Sequence, residues 1–321
     1  VFQYQCTIIQ VRLLFRHHMG RVILSVFLSC LCLIQSSSAM IYDTDTTFEE
    51  SVSFDLQRSV LVEERTAVWC DICAEFDPLL KEVASKHGNR ISIIGVHPFD
   101  GIDPFGNEAS KQRMERHEIF NENLGVTPTF LVDGRMISEG YDAWGDVQQA
   151  IFSQENKREN PDLYNFSLQK IAEELVLNMT FPEKGIFSVM LLEHNKDVPK
   201  GASNPGTSIR DRVLIDMITI HANQTIINGT DVMSTAFDGD SLQIQFSAPP
   251  EFSVIIVHEP SVEEALNNGN FAPYGVVEIS RLEEAPDENN ITIFWISIIT
   301  LGAGGIFIWA HPKNSESDES E

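Results

Sequence analysis

Apolar runs and turn residues alternate along the middle of the chain in a pattern that predicts most of its elements. From Ser59, "SVLVEERTAVWC" reads as a buried β-strand entering a turn, because its apolar residues are consecutive and largely β-branched. In the following "CDICAEFDPLLKEVASKHG", Phe76, Leu79, Leu80 and Val83 fall at helical spacing and Gly88 ends the pattern. Ile91 to Val96, "ISIIGV", is an apolar run of strand length, and the loop "HPFDGIDPFGNE" separates it from a polar helix predicted from about Glu108 to Asn123. "TFLVDGRMIS" carries a hairpin signal, two alternating runs joined by Asp133-Gly134. Ala143 to about Phe152 reads as a closing helix, and the polar stretch "SQENKRENPD" marks a boundary.

Beyond that boundary the period changes. "GIFSVMLLEH", "RVLIDMITIH", "QTIING", "SLQIQFSA" and "EFSVIIVHE" are short apolar or alternating runs separated by turn residues, the pattern of an all-β sandwich. "LQKIAEELVLNM" fits either a helix or strands. Ahead of Ser59, the acidic and hydroxyl-rich stretch Tyr42 to Phe54 reads as an extended lead-in. Asn165, Asn178, Asn223, Asn228 and Asn290 begin N-x-S/T sequons.

Two further apolar segments bear on location. Val22 to Ile34 follows Arg21 and leads into the small residues Ser36 to Ala39, a signal-peptide pattern; Met19 is then a natural start, with residues 1–18 upstream of it. Ile291 to Ala310 is twenty residues without a charge, which as a helix covers about 30 Å, the thickness of a bilayer core. The two segments together predict a single-pass type I membrane protein: residues 40–290 extracytoplasmic, Ile291 to Ala310 spanning, and the tail 311–321 cytoplasmic. A formal charge of −25 repels phosphates and excludes nucleic acid as a partner.

With the signal segment set aside, Cys70 and Cys73 are the cysteines left, one C-x-x-C. A structural bridge over so short a loop constrains the unfolded chain little. A zinc site would want four ligands, and neither a second C-x-x-C nor a His pair at ligand spacing is present, so no metal and no cofactor is expected. Redox chemistry fits best. A cysteine at a helix amino terminus faces unpaired N–H groups that favour its thiolate over the usual value of about 8.5. Cys70 is the nucleophile on this reading. Cys73, a turn further on and within about 5–6 Å, resolves the mixed disulfide and closes a Cys70–Cys73 bond.

The order strand, helix, strand, helix, hairpin, helix, with Trp69 before Cys70, the C-x-x-C, Pro78, and Pro128 in "GVTPTFLVDG", resembles the thioredoxin family over about 95 residues. Glu63, Thr66, Trp69, Cys70 and Cys73 also match the opening of extracytoplasmic Omp28-related proteins, which continue into a β-rich domain. The resemblance implies an α/β thioredoxin-like domain at 59–153, then an all-β sandwich-like domain at 162–280, and one C-terminal transmembrane helix. Residues 1–39 are the extension and signal peptide, 40–58 the lead-in, and 154–161 and 281–290 linkers. It also implies a cis Pro128 that keeps metal from the dithiol and presents the Thr127 backbone to a substrate strand, a Trp69 that shields the sulfurs, and a buried acid at Glu64 that handles protons. Glu63 competes for that last role, since one of two neighbours on a strand points inward.

The implied activity is thiol-disulfide exchange on exported proteins, with an electron donor that the sequence does not name. Asp71 beside Cys70 opposes thiolate formation, and no histidine stands between the cysteines, which favours reduction or isomerisation over strong oxidation. The alternative is a cell-surface binding protein using a redox-silent thioredoxin fold as a scaffold. His97, Asp100 and Asp103 read as a solvated turn, and His194, His221 and His258 as structural residues.

Overall fold

The computed structural model describes residues 40–121, 124–157, 160–238 and 241–283. Its elements run β1 (Ile41–Asp43), β2 (Val52–Phe54), β3 (Val60–Arg65), α1 (Asp71–His87), β4 (Ile91–Val96), α2 (Glu108–Glu118), β5 (Thr129–Val132), β6 (Arg135–Glu139) and α3 (Ala143–Glu155). They continue with β7 (Phe166–Ile171), β8 (Glu174–Met179), β9 (Ile186–Glu193), β10 (Lys196–Asp197), β11 (Ile209–Arg210), β12 (Val213–His221), β13 (Ile226–Asn228), β14 (Met233–Asp238), β15 (Ser241–Phe246), β16 (Phe252–Glu259), α4 (Val262–Asn268) and β17 (Gly275–Leu282).

The main correction concerns how the two regions join. An α/β domain followed by a separate β-sandwich was expected; instead one ten-stranded sheet runs through both, in the order β1-β17-β16-β9-β12-β4-β3-β5-β6 with β13 on β12. The seam is narrow. Val213 of β12 pairs with Gly95 of β4, and Gly95 N–H donates to the Arg212 carbonyl at 2.9 Å. A Cβ on Gly95 would stand 3.2 Å from that carbonyl oxygen, so glycine lets the two backbones meet. The protein is thus mostly β-sheet, with four helices among the described residues.

Each half of this sheet is covered on both faces. Val60 and Val62 of β3 join Phe76, Leu80 and Val83 of α1 and Val147 and Ile151 of α3 in one core. The alternate residue Leu61 faces the other way, with Ala109 and Met114 of α2 and with Met190, Leu192 and Leu214 from beyond the seam. That second core shows why the regions do not separate, since α2 packs on strands of both. A five-stranded sheet, β14-β15-β8-β7-β2, covers the opposite face of β9, β12, β16 and β17 through Phe166, Leu177, Phe187, Ile218, Phe246 and Phe252. The expected sandwich packing of strands is therefore seen, but one of its layers is the extension of the β3–β6 sheet.

Smaller differences follow from local chemistry. "LQKIAEELVLNM" forms the β7–β8 hairpin, with Ala172 at φ 54° in its turn and Leu175, Leu177 and Met179 alternating into the core. The lead-in is built into the sheets: β1 pairs with β17 and β2 with β7. The signal segment, the membrane segment Ile291 to Ala310 and the tail lie outside the described residues. Among the described residues no helix is long and apolar enough to cross a membrane.

Candidate active site at the start of α1

Strand β3 delivers the chain to Cys70 at the carboxyl end of the sheet, and Cys70 is the N-cap of α1. Its Sγ accepts the Cys73 N–H at 3.1 Å, satisfying one of the free donors at the helix start. Cys70 and Cys73 are joined by a disulfide with their Cα atoms 5.3 Å apart. Both are buried, Cys70 at 6% and Cys73 at 1% exposure, so Cys70 is the more exposed residue of the pair. Thr127 and Pro128 come from the segment ahead of β5, with a cis bond between them. The Thr127 carbonyl oxygen lies 3.7 Å from Cys70 Sγ. Half-buried Trp69 and Ile72 pack around Ala67 and the two cysteines, and Asp71 is exposed.

The turn before Cys70 is fastened by a residue expected to be solvated. Asp103 is buried; its carboxylate accepts the N–H groups of Val68 at 2.7 Å and Phe105 at 2.8 Å, and lies 3.2 Å from Nδ1 of buried His97. These contacts hold the Asp103 carboxyl below the ordinary range against the opposing effect of burial. Of the trio in this loop, Asp100 alone stays exposed, where it accepts the N–H groups of Ile102 and Asp103.

Glu63 and Glu64 do not compete for one interior position, because β3 is buried on both faces. Glu63 faces α2, where Arg113 Nε and Nη2 donate to its oxygens at 2.6 and 3.0 Å. Arg113 Nη1 reaches Glu259 Oε1 at 2.7 Å, and Ser188 Oγ donates to the same oxygen at 2.6 Å. Burial raises the Glu63 carboxyl, but Arg113 and His117 outweigh it and leave the group far below the usual carboxylate range; Glu259 is lowered to about 2 in the same way by Arg113 and Arg116.

Glu64 faces α1 in different company. Its Oε1 is buried without a hydrogen-bond partner, next to the unpartnered Thr66 Oγ1, on a cavity of about 30 Å³ that Asp77, Leu80, His97 and Arg210 also line. Burial pushes Glu64 well above the usual carboxylate range, and the Asp77 charge pushes the same way. Asp77 is raised too, again mainly by burial, with Arg210 opposing. Sequence reasoning missed Asp77 and Arg210. Asp77 had a local signal, an acid four residues after Cys73 on the same helix side; Arg210 had none, since its place depends on the second region folding over α1.

Among the described residues no group of three or more His, Cys, Asp or Glu has an arrangement that could hold a metal ion. His194 is held between Asp211 and Ser253, at 2.7 Å each, and His258 Nε2 lies 2.9 Å from the Lys184 carbonyl oxygen. A larger open cleft of about 1010 Å³ lies between α2 and α4, and neither cysteine nor Pro128 lines it.

No family model and no curated protein matches the sequence. The expected relation to Omp28-related proteins is therefore withdrawn. Two solved structures are similar in shape: protein AGR_C_4864 from Agrobacterium tumefaciens and HBP35 of Porphyromonas gingivalis. The first is 15% identical, with 72% of this chain and 96% of that one covered at a TM-score of 0.44. The second is also 15% identical, with 83% and 80% covered at a TM-score of 0.44.

Proposed function

We propose that this protein is a thiol-disulfide oxidoreductase that acts on disulfides of other proteins outside the cytoplasm. The observation that carries the reading is the position of Cys70: N-cap of a long helix, its sulfur on the Cys73 N–H, the more exposed of the pair, with a backbone carbonyl 3.7 Å away. A helix amino terminus stabilises the thiolate form of such a sulfur, which is the form that attacks a disulfide. Thr127 offers its backbone to an extended substrate segment beside the sulfur, in the manner of strand addition. Exposed Asp71 beside Cys70 disfavours the thiolate somewhat, and supports reduction or isomerisation over strong oxidation.

The test is capture. A Cys73→Ser variant leaves the Cys70 thiol to form a mixed disulfide that is not resolved, so reducible adducts with protein substrates accumulate on Cys70. In the wild type, titration against glutathione gives a cysteine pair more reducing than dedicated disulfide-forming enzymes. If the variant captures nothing and alkylation of Cys70 is the same in reducing and oxidising buffer, the protein is a redox-silent scaffold.

A further inference from the structure

On the α1 side of β3, Asp77 stands one helical turn beyond Cys73 and on the same side of α1, where residues four apart have Cβ atoms about 5–6 Å from each other. Its Oδ2 is 3.0 Å from Nε of Arg210, an ion pair that is not aligned as a hydrogen bond. Arg210 belongs to the β10–β11 hairpin of the second region. The loop of that hairpin is seated directly on α1: a Cβ on Gly206 would stand 2.9 Å from the Ala74 Cβ. Arg210 is buried, and its remaining nitrogens hold Asn204 Oδ1 at 2.6 Å, the Thr207 carbonyl at 2.8 Å and the Val68 carbonyl at 3.4 Å. The guanidinium is fixed from both sides.

The other charges around this cavity are engaged elsewhere. His97 pairs with Asp103 at 3.2 Å, Asp211 with His194 at 2.7 Å, and Arg212 with Glu278 at 2.7 Å, while Lys81 reaches Asn195 at 3.3 Å. Buried Glu64 and half-buried Asp77 are thus two carboxyls sharing one close cation, and two such neighbours do not both ionise readily. Arg210 lies against Asp77, so the charge belongs on Asp77 and the shared proton on Glu64.

We propose that Asp77, kept as a carboxylate by Arg210, accepts the proton of Cys73 when that thiol resolves a mixed disulfide. The proposal rests on the exchange reading above. In the step, the Cys73 S–H gives its proton to an Asp77 oxygen and its sulfur attacks Cys70 Sγ. The bond from Cys70 to the substrate sulfur breaks, the substrate leaves as a thiolate with the electron pair, and the Cys70–Cys73 bond forms. The dithiol has lost two electrons and the substrate disulfide has gained them. Asp77 is the catalytic group, Glu64 the protonated partner, and Arg210 a positioning residue.

A chromogenic aromatic disulfide mixed with the fully reduced protein separates the steps, because attack by Cys70 releases one coloured thiolate and resolution by Cys73 releases the second. Asp77→Asn slows the second release by about 100-fold, removes its acid limb, and leaves the first release within about two-fold of wild type. Arg210→Gln moves the acid limb of the second release to higher pH, and Arg210→Lys moves it back. A second release with unchanged rate and pH profile in Asp77→Asn overturns the proposal, and so does an equal slowing of both releases, which marks a structural role. If Cys73→Ser captures protein partners while Asp77→Asn behaves as wild type, the exchange reading stands and this assignment alone falls. If the reduced wild type releases neither thiolate, both fall.

Discussion

The two faces of β3 put neighbouring glutamates into opposite states. Glu63 and Glu64 are 0% and 2% exposed, yet the first lies in a closed ion network and the second beside a polar cavity with an unpartnered oxygen. Burial raises both carboxyls; what separates them is the partner that each face supplies. On the α2 side Arg113 meets Glu63 with two parallel N–H groups and passes its third to Glu259, so the charges compensate at hydrogen-bond distance. On the α1 side the nearest cation is taken by Asp77. One face fixes a permanent charge that ties α2 to β3 and β16. The other leaves a carboxyl whose burial favours its protonated form.

Four substitutions measure that contrast. Arg113→Ala leaves buried Glu63 with His117 alone and buried Glu259 with Arg116 alone, and lowers the unfolding free energy in denaturant titration by about 3 kcal/mol. Glu64→Gln acts in the other direction. A carboxyl raised by folding contributes its full stability below the unfolded value of about 4.3 and loses it as pH rises towards the folded value. The glutamine variant is therefore more stable than wild type at neutral pH, by about 0.5–2 kcal/mol, and the gain disappears in acid. A gain that persists at pH 4 would place the effect in packing rather than in the proton. Glu259 carries the opposite sign: lowered to about 2, its contribution is present above about 4.3 and is lost as pH falls towards 2.

Asn107→Ala comes next. Asn107 caps α2 by accepting the Ser110 N–H at 2.9 Å and donates to the Leu214 carbonyl at 2.8 Å, so its loss costs about 1 kcal/mol by thermal or denaturant unfolding. The smallest effect is at the surface of α1, where Lys86 pairs with Glu82 one turn away in full view of solvent. Lys86→Ala changes stability by less than about 0.5 kcal/mol, which shows that a charge pair matters here when it is desolvated and little when it is not.

Much of the local structure was legible in the sequence. Apolar spacing and Gly88 placed a helix over the residues of α1, and Asp133-Gly134, with φ values of 49° and 75°, marked the β5–β6 turn. Short-range patterns carry that information. The seam between β4 and β12 was invisible because it is a pairing between segments more than a hundred residues apart, and no local period encodes which strand edge meets which. The burial of both Glu63 and Glu64 was missed for a related reason. A lone strand with acids at neighbouring positions reads as having one wet face, and here Arg113 of α2 supplies the cation that lets Glu63 be buried. Arg210 is the extreme case: a surface arginine by composition, it is made interior by a hairpin folding onto α1.

The single pair Val213–Gly95 has a practical consequence for anyone wishing to use the cysteine-bearing part alone. Residues 59–155 look like a portable cassette, but excising them would strip β12 from the flank of β4 and uncover Ile94 and Val96, leaving a raw apolar strand edge. The same cut would carry away Arg210 and Glu259. A fragment made that way would be prone to stick to itself; Glu63 would keep Arg113, but Arg113 would have lost its second acid and Asp77 its cation.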